Sequence, residues 1–153
     1  MARLLGTSAV LLVRDVLASA AYFRDKAGFT IGGLWPDAAT EPDVGPPCYA
    51  ILHRDRMCLM LADHDPDRAT SGSTPPGDPA AAGVPYLPNW KHRDKTAQVY
   101  FWVDDADALY AELMERGATH DFGPCDQPHG CREFGIQDLD DHDVVFGQVI
   151  DGD

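Results

Sequence analysis

The same order of apolar and polar positions occurs at two places in the chain. Residues 7–29, TSAVLLVRDVLASAAYFRDKAGF, and residues 96–118, TAQVYFWVDDADALYAELMERGA, each begin with a short apolar run and continue with apolar residues at helical spacing. An aspartate separates the two parts, Asp15 in the first segment and Asp104 or Asp105 in the second, and its side chain can cap a helix. A glycine follows at the expected end of each helix. Each segment therefore predicts a buried strand followed by an amphipathic helix.

Further strands follow each predicted helix. After the first helix come TIGGLW and CYAILHRDRMCLMLAD, which is expected to turn at residues 53–56; after the second comes CREFGIQDLDDHDVVFGQ, which is expected to turn at residues 138–142. One half has too few elements to bury its own helix, so we predict an internal duplication with packed halves. Module 1 covers about residues 5–63, an irregular Pro-rich loop covers 64–95, and module 2 covers about 96–150.

The composition narrows the possible partners. The chain of 153 residues, 44% of them hydrophobic, is long enough for a single domain, residues 1–153, with a real core. Its formal charge of −13 gives no basic surface for nucleic acid and disfavours an anionic membrane. The four cysteines form no CxxC pair, which favours reduced thiols and a cytoplasmic protein.

Three segments resemble the vicinal oxygen chelate superfamily, the glyoxalase/bleomycin resistance protein/dioxygenase group. They are LLVRDVLASAAYFRDKAGF, YFWVDDADALYAELMERGA and PHGCREFGIQDLDDHDVVFGQ. The last one is similar to the family pattern REF…DPDG…FGQ, although Leu139 and Asp141 stand where Pro and Gly are usual. The resemblance implies an α+β fold in which two tandem βαβββ modules form a cup-shaped mixed sheet with the helices on its outer face.

The resemblance also implies where enzymes of this group bind a divalent metal, with four inward His, Gln or Glu side chains drawn from both modules. The first-strand positions, seven residues before each capping aspartate, hold Ser8 and Gln98 in this chain. The late-strand position of module 2 holds Val145, and the corresponding strand of module 1, residues 57–61, reads MCLML. These side chains are poor ligands for a hard divalent ion, so we predict neither a metal in the family position nor another cofactor.

A second group of residues has types that bind zinc: His120, Cys125, His129 and Cys131. Its spacing, HxxxxCxxxHxC, matches no common zinc module, and the segment is typical of a loop that leads into a hairpin. Zinc binding is therefore the less favoured interpretation. His53 and His142 lie in predicted turns, where we expect them to be solvated.

Strand alternation predicts which side chains line the cup. If Gln98 faces inward, Tyr100 and Trp102 do so as well, whereas Val99 and Phe101 face the helices. Other aromatic residues stand in or beside the irregular segments that could form the rim, and a carboxylate could contact a cationic ligand. The predicted ligand-binding residues are Trp35, Tyr49, Met60, Trp90, Gln98, Tyr100, Trp102 and Glu133.

An aromatic cup on an acidic protein, without metal ligands, favours a planar ligand with cationic character. The chain is most similar to the bleomycin-resistance branch of the group, which implies a homodimer that holds a drug between its subunits. Our leading hypothesis is metal-independent binding and sequestration of an antibiotic or a cationic aromatic metabolite, without catalysis. The alternatives are a metal-dependent glyoxalase- or dioxygenase-type lyase or isomerase with atypical ligands, and a small-molecule sensor or accessory domain.

Overall fold

The computed structural model describes residues 3, 6–40, 43–63 and 97–150. The predicted loop 64–95, which includes Trp90, lies outside the described residues. In chain order the elements are β1 (Ala9–Val13), α1 (Val16–Ala27), β2 (Thr30–Trp35), β3 (Tyr49–Arg54), β4 (Met57–Asp63), β5 (Val99–Trp102), α2 (Ala106–Glu115), β6 (Thr119–Gln127), β7 (Cys131–Gln137) and β8 (Asp143–Val149). Neither described helix is long and apolar enough to cross a membrane.

The two halves have the same topology. Four strands of module 1 pair in the order β1-β4-β3-β2, and four strands of module 2 pair in the order β5-β8-β7-β6. In each sheet the first strand runs parallel to the last one, and the remaining neighbours are antiparallel. The predicted α+β fold with two tandem βαβββ modules is therefore confirmed.

The two helices begin in the same way. Asp15 and Asp105 have nearly identical extended backbones, with φ of −143° and −144°, and each side chain accepts a hydrogen bond from an N–H group three residues later. Both distances are 2.9 Å. This bond satisfies an N–H group that the first helical turn leaves without a partner. Of the two predicted caps of the second helix, Asp105 is the one that acts.

The helix ends differ from each other. Gly28 caps α1 directly, in the left-handed conformation with φ of 72°. In module 2 the C-cap is Arg116, in the right-handed helical conformation, and the left-handed residue Gly117 comes after it. Left-handed backbone favours glycine because it has no Cβ. The glycine signal thus located both helix ends to within about one or two residues, as is usual for helix boundaries.

One hydrophobic core joins the two modules. In each sheet, alternate strand residues pack under a helix, and the other residues lie on the opposite face, called the inner face below. Phe134 and Phe146, from β7 and β8, stack with ring centroids 4.9 Å apart, and Tyr110 of α2 contacts Phe134 at 5.4 Å. Phe29 of module 1 contacts Phe101 of module 2 at 5.8 Å, so aromatic packing continues across the module boundary.

Polar contacts also connect α1 to module 2. The Tyr22 hydroxyl donates to the carbonyl oxygen of Gln137 at 2.6 Å and accepts from the N–H group of Thr119 at 3.0 Å. At the helix start, Arg14 Nε donates to Asp140 Oδ1 at 2.6 Å. These bonds have directional geometry, so they orient the modules more narrowly than apolar packing alone does.

One local prediction about module 2 was wrong. The segment that was expected to form a loop before the second hairpin is the nine-residue strand β6, Thr119–Gln127. It contains Gly123 and Pro124, and its pairing with β7 shifts register on both sides of Phe122. These residues disfavour a strand in isolation, but pairing along β7 overrides that preference because it satisfies the backbone groups.

The histidine predictions also need correction. His53 is exposed, but it lies within β3 and not in the turn, which consists of Asp55 and Arg56. His142 is buried, with 6% of its surface exposed, whereas the prediction placed it in solvent. Its Nδ1 lies 2.7 Å from Asp138 Oδ2, and this polar partner is what allows the ring to be buried.

Candidate functional site

The inner face of module 2 carries an aromatic pair beside a carboxylate. Tyr100 and Trp102, two residues apart on β5, have ring centroids 5.0 Å apart. Trp102 is 64% exposed. The Tyr100 hydroxyl donates to Glu133 Oε1 on β7 at 2.7 Å, and His129 Nε2 lies 2.9 Å from the same oxygen. A planar group could stack on the exposed indole within reach of a negative charge.

Tyr100 stays a neutral hydrogen-bond donor. Burial raises the pKa of its hydroxyl, and the neighbouring Glu133 and Cys131 raise it further. Ionisation would place a second negative charge beside the carboxylate in a partly desolvated position. The phenol therefore remains protonated at neutral pH and directs its hydrogen to Glu133.

Gly147 makes room for the Tyr100 ring. A Cβ atom at position 147 would overlap the Tyr100 hydroxyl, and it would also approach the ring carbon Cε1 at 2.9 Å. Gly147 is the β8 residue paired with Trp102 and Glu133 in the sheet. The absence of a side chain at this position thus allows Tyr100 to lie across β8 and reach the carboxylate.

We expect Gly147→Ala to displace Tyr100, break its bond to Glu133 and lower the free energy of unfolding by about 1–3 kcal/mol, since the added methyl group overpacks the site. Chemical denaturation measures this change. The matched control is Gly123→Ala on β6, where the new Cβ would meet its nearest atom at an ordinary 3.7 Å. Equal losses in both variants would contradict the proposed role of Gly147.

The inner face of module 1 has its own aromatic group. Trp35 lies over Gly33, whose added Cβ would come within 2.5 Å of the indole. The Trp35 and Tyr49 ring centroids are 6.3 Å apart, and the Tyr49 hydroxyl donates to the Met60 sulfur at 3.0 Å. Three predicted ligand-binding residues therefore form one contiguous group, with Trp35 47% exposed.

A cleft of about 470 Å³ lies between the modules and was not predicted. Its lining includes three phenylalanines, Phe29, Phe101 and Phe146, which belong to the helix side of the sheets. Beside the cleft, Arg54 Nη2 and Glu112 Oε2 form an ion pair at a distance of 2.8 Å. Of the seven predicted ligand-binding residues that the structure describes, Trp102 alone borders this cleft. Among the described residues, the cleft therefore lies mostly away from the predicted site.

The ion pair keeps Glu112 charged. Burial by itself would raise the pKa of this carboxyl, but the guanidinium groups of Arg54 and Arg116 outweigh it and hold the pKa below its ordinary value. Arg54 also donates to the carbonyl oxygen of Ala27 at 2.6 Å. Arg54 and Glu112 thus pair with each other, while Arg54 also bonds the end of α1 and Glu112 also pairs with Arg116 at the end of α2. These contacts favour a structural role at the module boundary.

The predicted zinc-type cluster is only partly brought together. His129 and Cys131 offer ligand atoms within 4.8 Å of each other and of a Glu133 oxygen. His120 instead packs its ring against Tyr110, at a centroid distance of 6.0 Å, and Cys125 accepts a hydrogen bond from the Gln127 side chain at 3.3 Å. The signal that was missed is the Cys-x-Glu spacing on β7, because residues two apart on a strand share a face.

The sequence comparison decides the family. The profile described as the Glyoxalase/Bleomycin resistance protein/Dioxygenase superfamily matches residues 7–146. The chain belongs to this superfamily. No curated protein sequence matches this chain significantly.

Several solved structures share the fold of this chain at low sequence identity. TnmS3, an antibiotic binding protein from Streptomyces sp. CB03234, aligns with a TM-score of 0.62 and 21% identity over 97% of this chain and 98% of that one. The bleomycin-binding protein from Streptomyces verticillus, complexed with copper(II)-bleomycin, aligns with a TM-score of 0.58 and 20% identity over 99% of this chain and 100% of that one. A lactoylglutathione lyase from Agrobacterium tumefaciens aligns with a TM-score of 0.60 and 17% identity over 94% of this chain and 92% of that one. Binding proteins and an enzyme are equally similar, so the fold does not select between them.

The family's metal position does not fit this chain. Ser8 is exposed, and Val145 offers no donor atom. Gln98 Oε1 already accepts the N–H group of Asp143, while its Nε2 is buried without a hydrogen-bond partner among the described residues. An amide nitrogen does not coordinate metals in this way, and a hard divalent ion needs several oxygen or nitrogen ligands.

Proposed function

We propose that this protein binds a planar, cationic small molecule, an antibiotic or an aromatic metabolite, and holds it without making or breaking a bond. The observation that carries the proposal is the exposed Trp102 on the inner face, which packs edge-on against Tyr100, the residue that hydrogen-bonds Glu133. Aromatic faces attract both planar rings and positive charge, and the carboxylate adds a counter-ion. The formal charge of −13 attracts cations over a longer range.

The misfit of the family's metal position favours binding over metal-dependent catalysis at that place. Two solved structures with the same fold are of proteins named for binding antibiotics, which supports sequestration as one use of this architecture. Trp35, Tyr49 and Met60 supply a second apolar surface on the inner face of module 1. A ligand that contacts both modules would use both aromatic groups.

Homodimerisation in the cytoplasm is part of this proposal. The large apolar side chains Val10 and Val149 are 53% and 56% exposed, and a second copy of the chain could cover them. The four cysteines are free thiols, as expected in a reducing compartment. Light scattering after size exclusion measures the mass in solution, and a strictly monomeric protein would remove the dimer from the proposal.

Ligand binding is tested by titrating the protein with planar cationic dyes and metal-free bleomycin in the presence of a chelator, while tryptophan emission is followed. We expect saturable quenching and an unaltered ligand on recovery by mass spectrometry. Trp102→Ala and Glu133→Gln should each weaken binding about fivefold or more, because stacking and ion pairing at partly desolvated sites contribute about 1 kcal/mol each. Neutral planar compounds of equal size should bind less tightly.

The control for Glu133→Gln is Glu115→Gln, which removes the same charge from the exposed end of α2. If both variants weaken binding equally, only the overall charge matters and the inner-face site is wrong. Failure of the whole panel to bind would refute sequestration of planar cations. Chemical conversion of the ligand, or binding that requires a divalent ion, would support the enzyme alternative instead.

A further inference from the structure

A histidine ring, a thiol and a carboxylate meet at the start of β7. His129 belongs to the turn between β6 and β7, and Cys131 and Glu133 follow it on the strand. One ligand atom from each side chain lies within 4.8 Å of the other two. Cys131 and Glu133 share the inner face because strand residues two apart point the same way. His129 reaches along that face, with Nε2 2.9 Å from Glu133 Oε1.

The cluster is partly desolvated. Cys131 is 5% exposed, and the Glu133 side chain is 13% exposed, whereas the His129 side chain is 61% exposed and leaves access from solvent. A mostly buried carboxylate normally has a cation, several hydrogen-bond donors or a metal ion as its partner, and Glu133 has the Tyr100 hydroxyl at 2.7 Å and the His129 ring at 2.9 Å. The adjacent cation, Arg132, lies on the other face, where it pairs with Asp107 at 2.7 Å and Asp126 at 2.6 Å.

We propose that His129, Cys131 and Glu133 bind one divalent ion of the zinc class, with the fourth coordination position open towards Tyr100 and Trp102. Zinc prefers nitrogen and thiolate ligands and accepts carboxylate oxygen, at about 2.0–2.3 Å from the metal. Ligand atoms around a tetrahedral ion at those distances are separated by about 3.5 Å, so the present spacing needs only small side-chain movements. Magnesium and calcium prefer oxygen ligands alone and fit this set poorly.

The backbone around the cluster is already organised. The N–H group of Gly130 donates to Gln127 O, and the N–H group of Ile150 donates to Gly130 O, both at 3.0 Å. Arg132 connects the hairpin to α2 through Asp107. Two ligands on a paired strand and a third on a hydrogen-bonded turn lose little conformational freedom when the ion binds. The site shares no residue with the family's metal position at Ser8, Gln98 and Val145.

Three protein ligands and one open position are typical of zinc sites that bind an exchangeable molecule. Tyr100 of the aromatic pair contacts Glu133, so a small molecule held beside this pair could supply the fourth ligand atom. Metal binding does not depend on the proposed sequestration of planar cations, because it is measured without any organic ligand. If no metal binds, the proposed sequestration of planar cations still stands. If no planar cation binds, the proposed metal site still stands.

The test uses the full chain, reduced and freed of metal by a chelator. Zinc is titrated against a chromophoric competitor, and cobalt is then substituted for it. We expect one zinc ion per chain and, with cobalt, the thiolate-to-metal charge-transfer absorption of a bound cysteine. Cys131→Ser should remove that absorption, and His129→Ala and Glu133→Gln should each weaken zinc binding about tenfold or more.

Matched controls are Cys125→Ser and His120→Ala, which remove the same side-chain types from exposed positions of β6. Both should bind zinc as the unaltered protein does. Because the His129 side chain is 61% exposed, His129→Ala keeps the fold and reports on coordination even if Cys131→Ser does not fold. Absence of stoichiometric zinc binding, unchanged affinity in His129→Ala, or equal weakening by Cys125→Ser overturns the proposal.

Discussion

Replacing Phe134 by alanine is expected to lower the free energy of unfolding by about 4 kcal/mol, since it empties a fully buried aromatic position. Phe134 is 0% exposed. Its ring stacks on Phe146 at 4.9 Å and meets Tyr110 edge-on at 5.4 Å, so it joins β7, β8 and α2. The free energy of unfolding of a domain this size is about 5–15 kcal/mol, so this single substitution removes a large share of the total stability.

Urea denaturation followed by circular dichroism measures this loss. The graded control is Phe134→Leu, which keeps most of the apolar volume and should lose only about 1–2 kcal/mol. Aromatic packing beyond simple burial contributes to the difference between the two variants. A loss below about 1 kcal/mol for the alanine variant would mean that the core relaxes into the space, and that the stacked arrangement is not a main support of module 2.

The second large effect is expected for Asp138→Ala, which should lower the free energy of unfolding by about 3 kcal/mol. The Asp138 side chain is fully buried. Its Oδ1 accepts the N–H groups of Asp140 and His142, both at 2.9 Å, and its Oδ2 lies 2.7 Å from His142 Nδ1. Removing the carboxylate leaves two backbone donors and a buried ring nitrogen without partners, and that desolvation penalty is the cause of the loss.

Two other variants of the same turn are the controls for this experiment. Asp138→Asn keeps an acceptor oxygen for both N–H groups and should be less harmful than alanine. Leu139→Ala changes a 46% exposed side chain in the same turn and should shift stability by no more than about 0.5 kcal/mol. If Asp138→Asn is as destabilising as Asp138→Ala in thermal and chemical unfolding, the hydrogen bonds to Oδ1 are not the reason for the effect.

The Asp138 turn also affects how the modules pack. Asp140, held by the Asp138 side chain, receives Arg14 Nε at 2.6 Å and the Ser19 hydroxyl at 3.3 Å, both from module 1. A disordered turn would therefore weaken the contact of α1 with module 2 as well as the hairpin. The departure from the family turn pattern at Leu139 and Asp141 leaves this function of the turn in place, since Asp141 adopts the positive φ of 62° that a glycine there would favour.

Glu133 is common to both proposed kinds of binding. For a planar cation it supplies a counter-ion beside Tyr100, and for zinc it supplies a ligand oxygen next to Cys131. A carboxylate that coordinates a metal no longer offers its full charge to an organic cation, so each occupant lowers the affinity for the other at this residue. Ligand titration with chelator and metal titration without ligand therefore measure the two affinities separately.

The sequence alone was sufficient to predict the duplicated architecture. Strand, capping aspartate and helix are local signals, and they recur around Asp15 and Asp105 with the same bond to the third following N–H group. Alternation along β5 correctly separated Val99 and Phe101, which are buried, from Tyr100 and Trp102 on the inner face. Such features depend on neighbouring residues only, so they can be read from a short window of sequence.

Only the tertiary structure decided which side chains meet. The exclusion of His120 and Cys125 from the group of His129, Cys131 and Glu133 depends on the register of β6 against β7. That register shifts at irregular points that spacing along the chain does not predict. The burial of His142 and the cleft between the modules likewise depend on contacts between distant segments. Local chemistry determines the elements, whereas pairing and packing between distant elements determine the site, because side-chain distances depend on register.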